Sequence, residues 1–211
     1  MSAIVLVHGM AATARSWADL PGRLKAAGHV VSNVTLPGHA SLLEYLSADL
    51  DAYVTEVIEA IPSSDAAVLI GHSMGGFVIS QTAAWYPKRV AGLIYVAAMM
   101  PSQDDTISGL SVSFGTGFKA IRDEFKNAGA DLGALGLQPL GPLDDPFDDK
   151  NNMSSVPRHY IQCYSDTIIP FASQASMISA WPGTTMTTIK TGHLPQYTEP
   201  DELEKQIRLA L

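Results

Sequence analysis

A serine between glycines, at the junction of two apolar stretches, constrains this chain more than any other feature. Residues 71–76 read Gly-His-Ser-Met-Gly-Gly, after the apolar run 66–70 and before the apolar stretch 77–86. The run predicts a buried strand and the stretch predicts a helix, so Ser73 occupies the sharp turn of a G-x-S-x-G nucleophile elbow. Such a turn strains the serine backbone and needs the two small neighbours that the glycines supply. The pattern predicts a serine nucleophile, and the alternative is a glycine-rich turn with an incidental serine.

Length and charge narrow the class of protein. The chain has 211 residues, of which 46% are hydrophobic, and a net charge of -8. It is long enough for one buried core and short for two, so residues 1–211 are expected to form a single domain. The acidity and the lack of a Lys/Arg cluster argue against a nucleic acid or an anionic membrane as partner.

The N-terminal sequence and the lengths of the apolar runs suggest a cellular location. The sequence enters the strand-like run 4–7 without a basic leader, and no apolar run reaches the roughly 18 residues of a membrane span. The single cysteine, Cys163, lies in an apolar strand-like run and is expected to pack rather than to react. A soluble, cytoplasmic protein is therefore expected.

Short apolar runs alternate with helical patterns along the chain. Most of the runs lack polar alternation, as in parallel strands that are covered on both faces. The strand-like runs are 4–7, 30–35, 67–70, 93–97, 160–164 and 184–189, and helical patterns cover 16–27, 42–61, 74–86, 171–181 and 200–211. This order predicts an α/β fold in which a mostly parallel sheet of about six strands is flanked by helices.

Residues 101–157 interrupt this alternation. The segment is rich in Gly, Pro and Asp, and only its part 118–128 has a helical pattern. A stretch of this length in a compact domain is typical of a functional lid, whereas a disordered insertion is the alternative. The segment contains apolar side chains whose burial would favour an ordered structure. We therefore expect a lid or cap inserted before the penultimate strand.

A serine hydroxyl needs a base and an orienting acid to act as a nucleophile at neutral pH. His193 follows the last strand and precedes the last helix, which places it at the carboxyl edge of the sheet; the other histidines (His8, His29, His39, His72 and His159) are weaker candidates. Asp166 follows the fifth strand, from which its carboxylate could accept the Nδ1–H of His193. The order Ser, Asp, His accompanies this elbow in known enzymes. Asp104 and Asp105 remain alternative acids, and a turn or helix cap is the structural alternative for Asp166.

An oxyanion hole needs two converging backbone N–H groups. The N–H of Met74, directly after the nucleophile, is one candidate. The loop after the first strand supplies the other, and we predict the N–H of Met10 because Gly9 allows close approach of the backbone. The spacing of histidines indicates no metal site, and no phosphate-binding loop matches, so no cofactor is expected.

These features together resemble the α/β-hydrolase fold superfamily over nearly the whole chain outside residues 101–157. The chain is most similar to the group that contains the plant-type methylesterases and the hydroxynitrile lyases. The narrower likeness rests on 5–9 (Val-Leu-Val-His-Gly) with Trp17, on 36–39 (Leu-Pro-Gly-His), and on 166–170 (Asp-Thr-Ile-Ile-Pro) with Gln174 and Met177. The resemblance implies that Ser73, Asp166 and His193 form the triad, with Met10 and Met74 as oxyanion amides.

The leading prediction is a carboxylesterase that cleaves small to medium hydrophobic esters through an acyl-enzyme on Ser73. Apolar side chains around the elbow favour such a substrate over a sugar or a peptide. Residues expected to contact it are Gly9, Trp17 and Met99.

Two other functions remain open on the same fold. A hydroxynitrile lyase-like C–C lyase is one, although those proteins characteristically carry a threonine in place of Gly9 and a lysine in place of Leu194. A small-molecule-binding receptor is the other, which slow turnover with tight product binding would reveal. Epoxide hydrolases and haloalkane dehalogenases are excluded because their nucleophile is an aspartate where this chain has Ser73. A homodimer is an open alternative to a monomer.

Overall fold

The six predicted strands form one parallel sheet in a computed structural model that describes residues 1–62, 66–115 and 117–211. They are β1 (Ala3–Val7), β2 (Val30–Val34), β3 (Ala67–His72), β4 (Val90–Val96), β5 (Arg158–Cys163) and β6 (Thr185–Ile189). The order across the sheet is β2-β1-β3-β4-β5-β6, and every neighbouring pair is parallel. The α/β class and the strand number predicted from the sequence are confirmed.

Helices cover both faces of the sheet. In the described ranges they are α1 (Leu20–Ala26), α2 (Leu42–Tyr45), α3 (Leu50–Ala60), α4 (Gly75–Trp85), α5 (Ile107–Phe114), α6 (Phe118–Asn127), α7 (Phe171–Ser179), α8 (Pro195–Thr198) and α9 (Pro200–Ala210). None of these helices is both long and apolar enough to cross a membrane. Helices α3, α4 and α7 contribute to the larger core cluster, and α1 and α9 contribute to the smaller one.

The two core clusters explain why the central strands are apolar without alternation. Val5 of β1 and Leu69 of β3 point into the larger cluster, whereas Leu6 and Ile70 point into the smaller one. Successive side chains of a strand face opposite sides, so a strand covered on both faces must be apolar throughout. Because the strands are parallel, the carboxyl ends of β3, β5 and β6 lie along the same edge of the sheet.

The helix predicted over 42–61 is wrong as a single element, because α2 and α3 are separate. Asp49 stands between them, and its Oδ1 accepts the Ala52 N–H at 2.8 Å as the N-cap of α3. Leu43 and Leu46 are 95% and 92% exposed. Leu46 follows α2 and lies outside α3, so it does not share the buried face of α3.

Residues 101–157, here called the insertion, lie between β4 and β5. They contain two helices, α5 and α6, where the sequence pattern predicted one. Thr106 is the N-cap of the additional helix, α5, because its Oγ1 accepts the Gly109 N–H at 3.0 Å. The sequence pattern did not predict α5 because its serines and its glycine have low helix propensity.

The insertion also pairs with the loop that follows β1. Ala12 forms an antiparallel bridge with Leu135. The Gly136 N–H donates to the Ala11 carbonyl at 2.9 Å, and the Ala11 N–H donates to Gln138 Oε1 at 3.0 Å. The insertion thereby fixes the loop that carries Met10.

Candidate active site

Ser73 occupies the turn between β3 and α4. Its φ of 55° lies in the left-handed region that residues with a Cβ rarely adopt. A Cβ on Gly71 would lie 2.6 Å from the Gly75 carbonyl carbon, so the turn closes only around glycine. The Ser73 N–H donates to the Val96 carbonyl at 3.3 Å, and the Ser73 carbonyl accepts from the Met99 N–H at 2.9 Å. The end of β4 therefore holds the strained turn in place.

His193 and Asp166 form a buried pair at the same edge of the sheet. His193 Nδ1 lies 2.8 Å from Asp166 Oδ2, and the two side chains are 2% and 0% exposed. Because a carboxylate only accepts, His193 Nδ1 carries the proton and Nε2 is the acceptor. The other carboxylate oxygen of Asp166 accepts the N–H groups of Ile168 and Ile169, at 2.8 and 2.9 Å. The carboxylate is thus fixed in one orientation.

Gln174 of α7 supports the loop that carries Asp166. Its Nε2 donates to the carbonyls of Ile169 and Cys163, at 2.8 and 3.1 Å, and lies 3.4 Å from Asp166 Oδ2. Its Oε1 accepts the Cys163 N–H at 3.0 Å. Burial raises the pKa of the Cys163 thiol, so this thiol stays protonated and packs. The fully buried amide of Gln174 therefore links the end of β5 to the loop that carries Asp166.

The alternative acids serve local turns. Asp105 Oδ2 accepts the Ser102 N–H at 2.8 Å, and Asp104 Oδ1 accepts from Gln103 Nε2 at 3.0 Å. Asp166 is the acid that contacts His193.

The backbone of His193 is held by two residues that the sequence patterns did not indicate. Its carbonyl accepts a hydrogen bond from His72 Nε2 at 2.8 Å, and its N–H donates to Glu124 Oε1 at 3.2 Å. Burial lowers the pKa of His72 to about 3, so the ring is neutral and Nε2 carries its proton. His72 directly precedes Ser73, but Glu124 lies 69 positions from His193, and the sequence carries no signal that joins Glu124 to His193.

The two predicted oxyanion donors belong to the turns around Ser73. Met74 is the N-cap of α4, and Met10 follows β1. Within the described part of the chain, neither N–H donates to a backbone carbonyl. A Cβ on Gly9 would lie 2.8 Å from Ser73 Cβ, which explains the glycine beside Met10.

Two neutral histidines fix the loop that carries Met10. His8 Nδ1 donates to the Gly9 carbonyl at 2.8 Å, and His39 Nδ1 donates to the Ala12 carbonyl at 3.0 Å. Tyr53 donates its hydroxyl proton to His39 Nε2 at 2.7 Å. Burial lowers the pKa of His8 to about 4 and that of His39 to about 3, so both rings remain uncharged near neutrality.

A cavity of about 190 Å³ opens at Ser73 between the sheet edge and the insertion. Apolar side chains line it, from the sheet side Met10, Met99, Ile168 and Ile169, and from the insertion Val112, Phe114, Phe118, Ile121 and Leu143. Two serine side chains, Ser108 and Ser111, add hydroxyl groups. Among all described residues, the cavity lining included, no group of three or more His, Cys, Asp or Glu side chains could hold a metal ion. The cavity fits an apolar organic group.

The model of the alpha/beta hydrolase family matches residues 4–206. The chain belongs to this family. It is 31% identical to methylesterase 7 of Arabidopsis thaliana, over 94% of this chain and 92% of that protein. It is 27% identical to the pyrethroid hydrolase of Sphingobium wenxiniae, over 97% of this chain and 85% of that protein.

Solved structures show the same fold. A pyrethroid hydrolase from Sphingobium faniae has a TM-score of 0.86 at 24% identity, covering 98% of this chain and 96% of that chain. A methylesterase from Arabidopsis has a TM-score of 0.80 at 22% identity, covering 100% of this chain and 98% of that chain. The α/β-hydrolase fold and the likeness to the methylesterase group, both predicted from the sequence, are confirmed.

In this α/β-hydrolase, Trp17 lies outside the cavity, contrary to the substrate contact expected for it. Its side chain is fully buried with Leu20 and Leu24 in the smaller core cluster. Its ring centre is 6.0 Å from that of His72. Trp17 therefore packs against His72 of the turn, whereas Met99 lines the cavity.

Proposed function

We propose that this protein is a serine esterase that cleaves small to medium hydrophobic carboxylic esters through an acyl-enzyme on Ser73. The observation that carries the proposal is the buried His193–Asp166 pair, 2.8 Å apart, at the sheet edge where Ser73 faces an apolar cavity. The names of the relatives, methylesterase and pyrethroid hydrolase, support the same class of reaction.

Acylation begins when Ser73 Oγ attacks the ester carbonyl carbon. His193 Nε2 accepts the hydroxyl proton, while Asp166 keeps the proton on Nδ1 and stabilises the imidazolium. The carbonyl oxygen becomes an oxyanion, to which the N–H groups of Met10 and Met74 donate. Collapse of this intermediate breaks the bond to the alkoxy oxygen, which takes the proton from His193 and leaves as the alcohol.

Deacylation repeats the sequence with water. His193 Nε2 removes a proton from the water as its oxygen attacks the acyl carbon. The second oxyanion collapses, and Ser73 Oγ leaves and recovers the proton from His193. The products are a carboxylic acid and the free enzyme, so no cofactor takes part.

Labelling of the nucleophile tests this proposal. A fluorophosphonate probe should add once to the wild type, with loss of fluoride and a mass increase on the peptide that holds Ser73. Ser73→Ala should abolish the adduct. Ser111→Ala is the matched control because Ser111 lines the same cavity, and its adduct should persist. A folded wild type that takes no label, or a Ser73→Ala variant that still does, contradicts the proposal.

Other expectations from the sequence stay predictions. They are the single domain over residues 1–211, the lid role of residues 101–157, the homodimer and the cytoplasmic location. Light scattering of the purified protein tests the homodimer.

A further inference from the structure

Helix α6 of the insertion lies directly on the loop that carries His193. Glu124 Oε1 accepts the His193 N–H at 3.2 Å. The next residue, Phe125, is 2% exposed, and its ring centre lies 6.2 Å from that of Tyr197 in α8. Two consecutive residues of α6 thus contact the segment around the proposed base.

The residue beside His193 leaves room for this contact. A Cβ on Gly192 would lie 2.7 Å from Glu124 Oε1. A side chain at position 192 would therefore push the Glu124 carboxylate away from the His193 N–H. The hydrogen bond from the His193 N–H to Glu124 therefore depends on the lack of a side chain at Gly192.

Three hydrogen bonds define the position of His193, and they come from different parts of the fold. Asp166, after β5, holds Nδ1, and His72, at the end of β3, holds the carbonyl. Glu124 holds the N–H and is the contribution of the insertion. A displacement of α6 would therefore move the backbone of His193 and, with it, the imidazole ring.

We propose that Glu124 is a positioning residue for the catalytic base, and that through it the insertion controls the rate of the chemical step. This inference rests on the proposed esterase function. Glu124 is absent from the cavity wall among the described residues, so it acts through the His193 loop rather than by touching substrate. Hydrogen bonds to a charged acceptor are stronger than neutral ones, and small displacements of a catalytic group lower the rate.

The first test compares three variants of α6. Glu124→Ala should lower kcat about tenfold with little change in KM, because the lost bond displaces the base and leaves the cavity intact. Glu124→Gln keeps an acceptor oxygen and should recover most of kcat. Asp123→Ala is the matched control, since it removes the same charge from the preceding residue, a half-buried aspartate that pairs with Lys119. Equal kcat values for Glu124→Ala and Asp123→Ala, or a change confined to KM, overturn the inference.

A double-mutant cycle tests the contact itself. Gly192→Ala should lower kcat as Glu124→Ala does, because the added methyl group displaces the carboxylate. In the Glu124→Ala background the same substitution should have little further effect, since the carboxylate is already gone. Additive losses would show that position 192 acts independently of Glu124 and would overturn the pairing.

Amide hydrogen exchange at His193 separates this inference from the proposed function. Exchange of the His193 N–H should be faster in Glu124→Ala than in the wild type, and Glu124→Gln should restore protection. Unchanged exchange in Glu124→Ala overturns the role of Glu124, whether or not the protein hydrolyses esters. A wild type without ester hydrolysis, together with the expected exchange pattern, would instead overturn the esterase proposal and retain Glu124 as the residue that holds the His193 loop.

Discussion

His72 Nε2 donates a 2.8 Å hydrogen bond to the carbonyl oxygen of His193. The residue before the proposed nucleophile therefore holds the backbone of the proposed base, and this hydrogen bond links the turn at Ser73 to the loop that carries His193. The two ring centres are 4.7 Å apart, with Trp17 packed behind His72.

Loss of this bond should slow the reaction. His72→Phe keeps a planar ring but leaves the buried His193 carbonyl without its donor, at a cost of about 1–3 kcal/mol in the free energy of unfolding. We expect kcat to fall about tenfold as the base moves. His72→Gln, which carries a donor on a side chain of similar reach, should lose less. Steady-state kinetics of the folded variants check this, and equal kcat for His72→Phe and the wild type would contradict it.

A methyl group at Gly9 should damage the oxyanion hole. Its Cβ would lie 2.8 Å from Ser73 Cβ, so either the nucleophile or the Met10 loop must move. Gly9→Ala should lower kcat about 100-fold, the effect of losing one oxyanion donor. Gly22→Ala is the matched control, because a Cβ at this exposed position of α1 meets no atom within 4 Å. The control should keep full activity and gain about 0.5–1 kcal/mol of stability. Full activity in Gly9→Ala would place the oxyanion donors elsewhere.

A second carboxylate at position 174 should shift the pH dependence of activity. Gln174 Nε2 lies 3.4 Å from Asp166 Oδ2, so Gln174→Glu would create a buried pair of like charges. Such a pair retains one proton to higher pH, and a protonated Asp166 no longer orients His193. The acid limb of the kcat/KM profile should move up by at least about one pH unit. Gln103→Glu adds the same charge at an exposed site and should leave the acid limb of the kcat/KM profile unchanged. An unchanged acid limb in Gln174→Glu would contradict the role of Gln174 in supporting Asp166.

Three buried neutral histidines should make stability fall with acidification. The folded-state pKa values of His8, His39 and His72 are lowered to about 4, 3 and 3 by burial, from 6.5. Below pH 6.5 the unfolded chain therefore binds protons that the folded chain does not, and the free energy of unfolding decreases as the pH falls. The contribution is up to about 1.4 kcal/mol per pH unit for each histidine.

Urea denaturation between about pH 7 and about pH 5 measures this slope, over a range that lies above the folded-state pKa values and spans the unfolded-state value. His39→Asn keeps a donor toward the Ala12 carbonyl but removes one titrating group, so its slope should be smaller than that of the wild type. An unchanged slope would show that His39 does not titrate in this way. The comparison uses slopes, so a general loss of stability in the variant does not affect it.

The sequence predicts the features that depend on local pattern. Ser73 is marked by the glycines around it, and Asp166 and His193 are marked by their positions after predicted strands. The carboxyl ends of parallel strands lie at the same edge of the sheet. Residues that closely follow such strands, as Ser73, Asp166 and His193 do, are therefore expected at that edge. The pairing of Asp166 with His193 in the structure follows from that rule.

Other features depend on contacts that local pattern does not encode. Glu124 reaches His193 because α6 packs on α8, and that packing joins segments 69 positions apart. The break at Asp49 depends on a single capping side chain within an otherwise periodic stretch. Trp17 packs against His72 in the smaller core cluster because the segment after β1 covers that face of the sheet, and local pattern does not indicate which face a segment covers.

Burst kinetics on p-nitrophenyl esters of increasing acyl length test the central proposal, the acyl-enzyme on Ser73, most directly. The wild type should release p-nitrophenol in a fast burst of about one equivalent per enzyme, followed by slower turnover, because acylation expels the phenol before water frees the acid. Ser73→Ala should show neither phase. A burst that survives Ser73→Ala, or a folded wild type that releases no phenol above background, would contradict the acyl-enzyme mechanism.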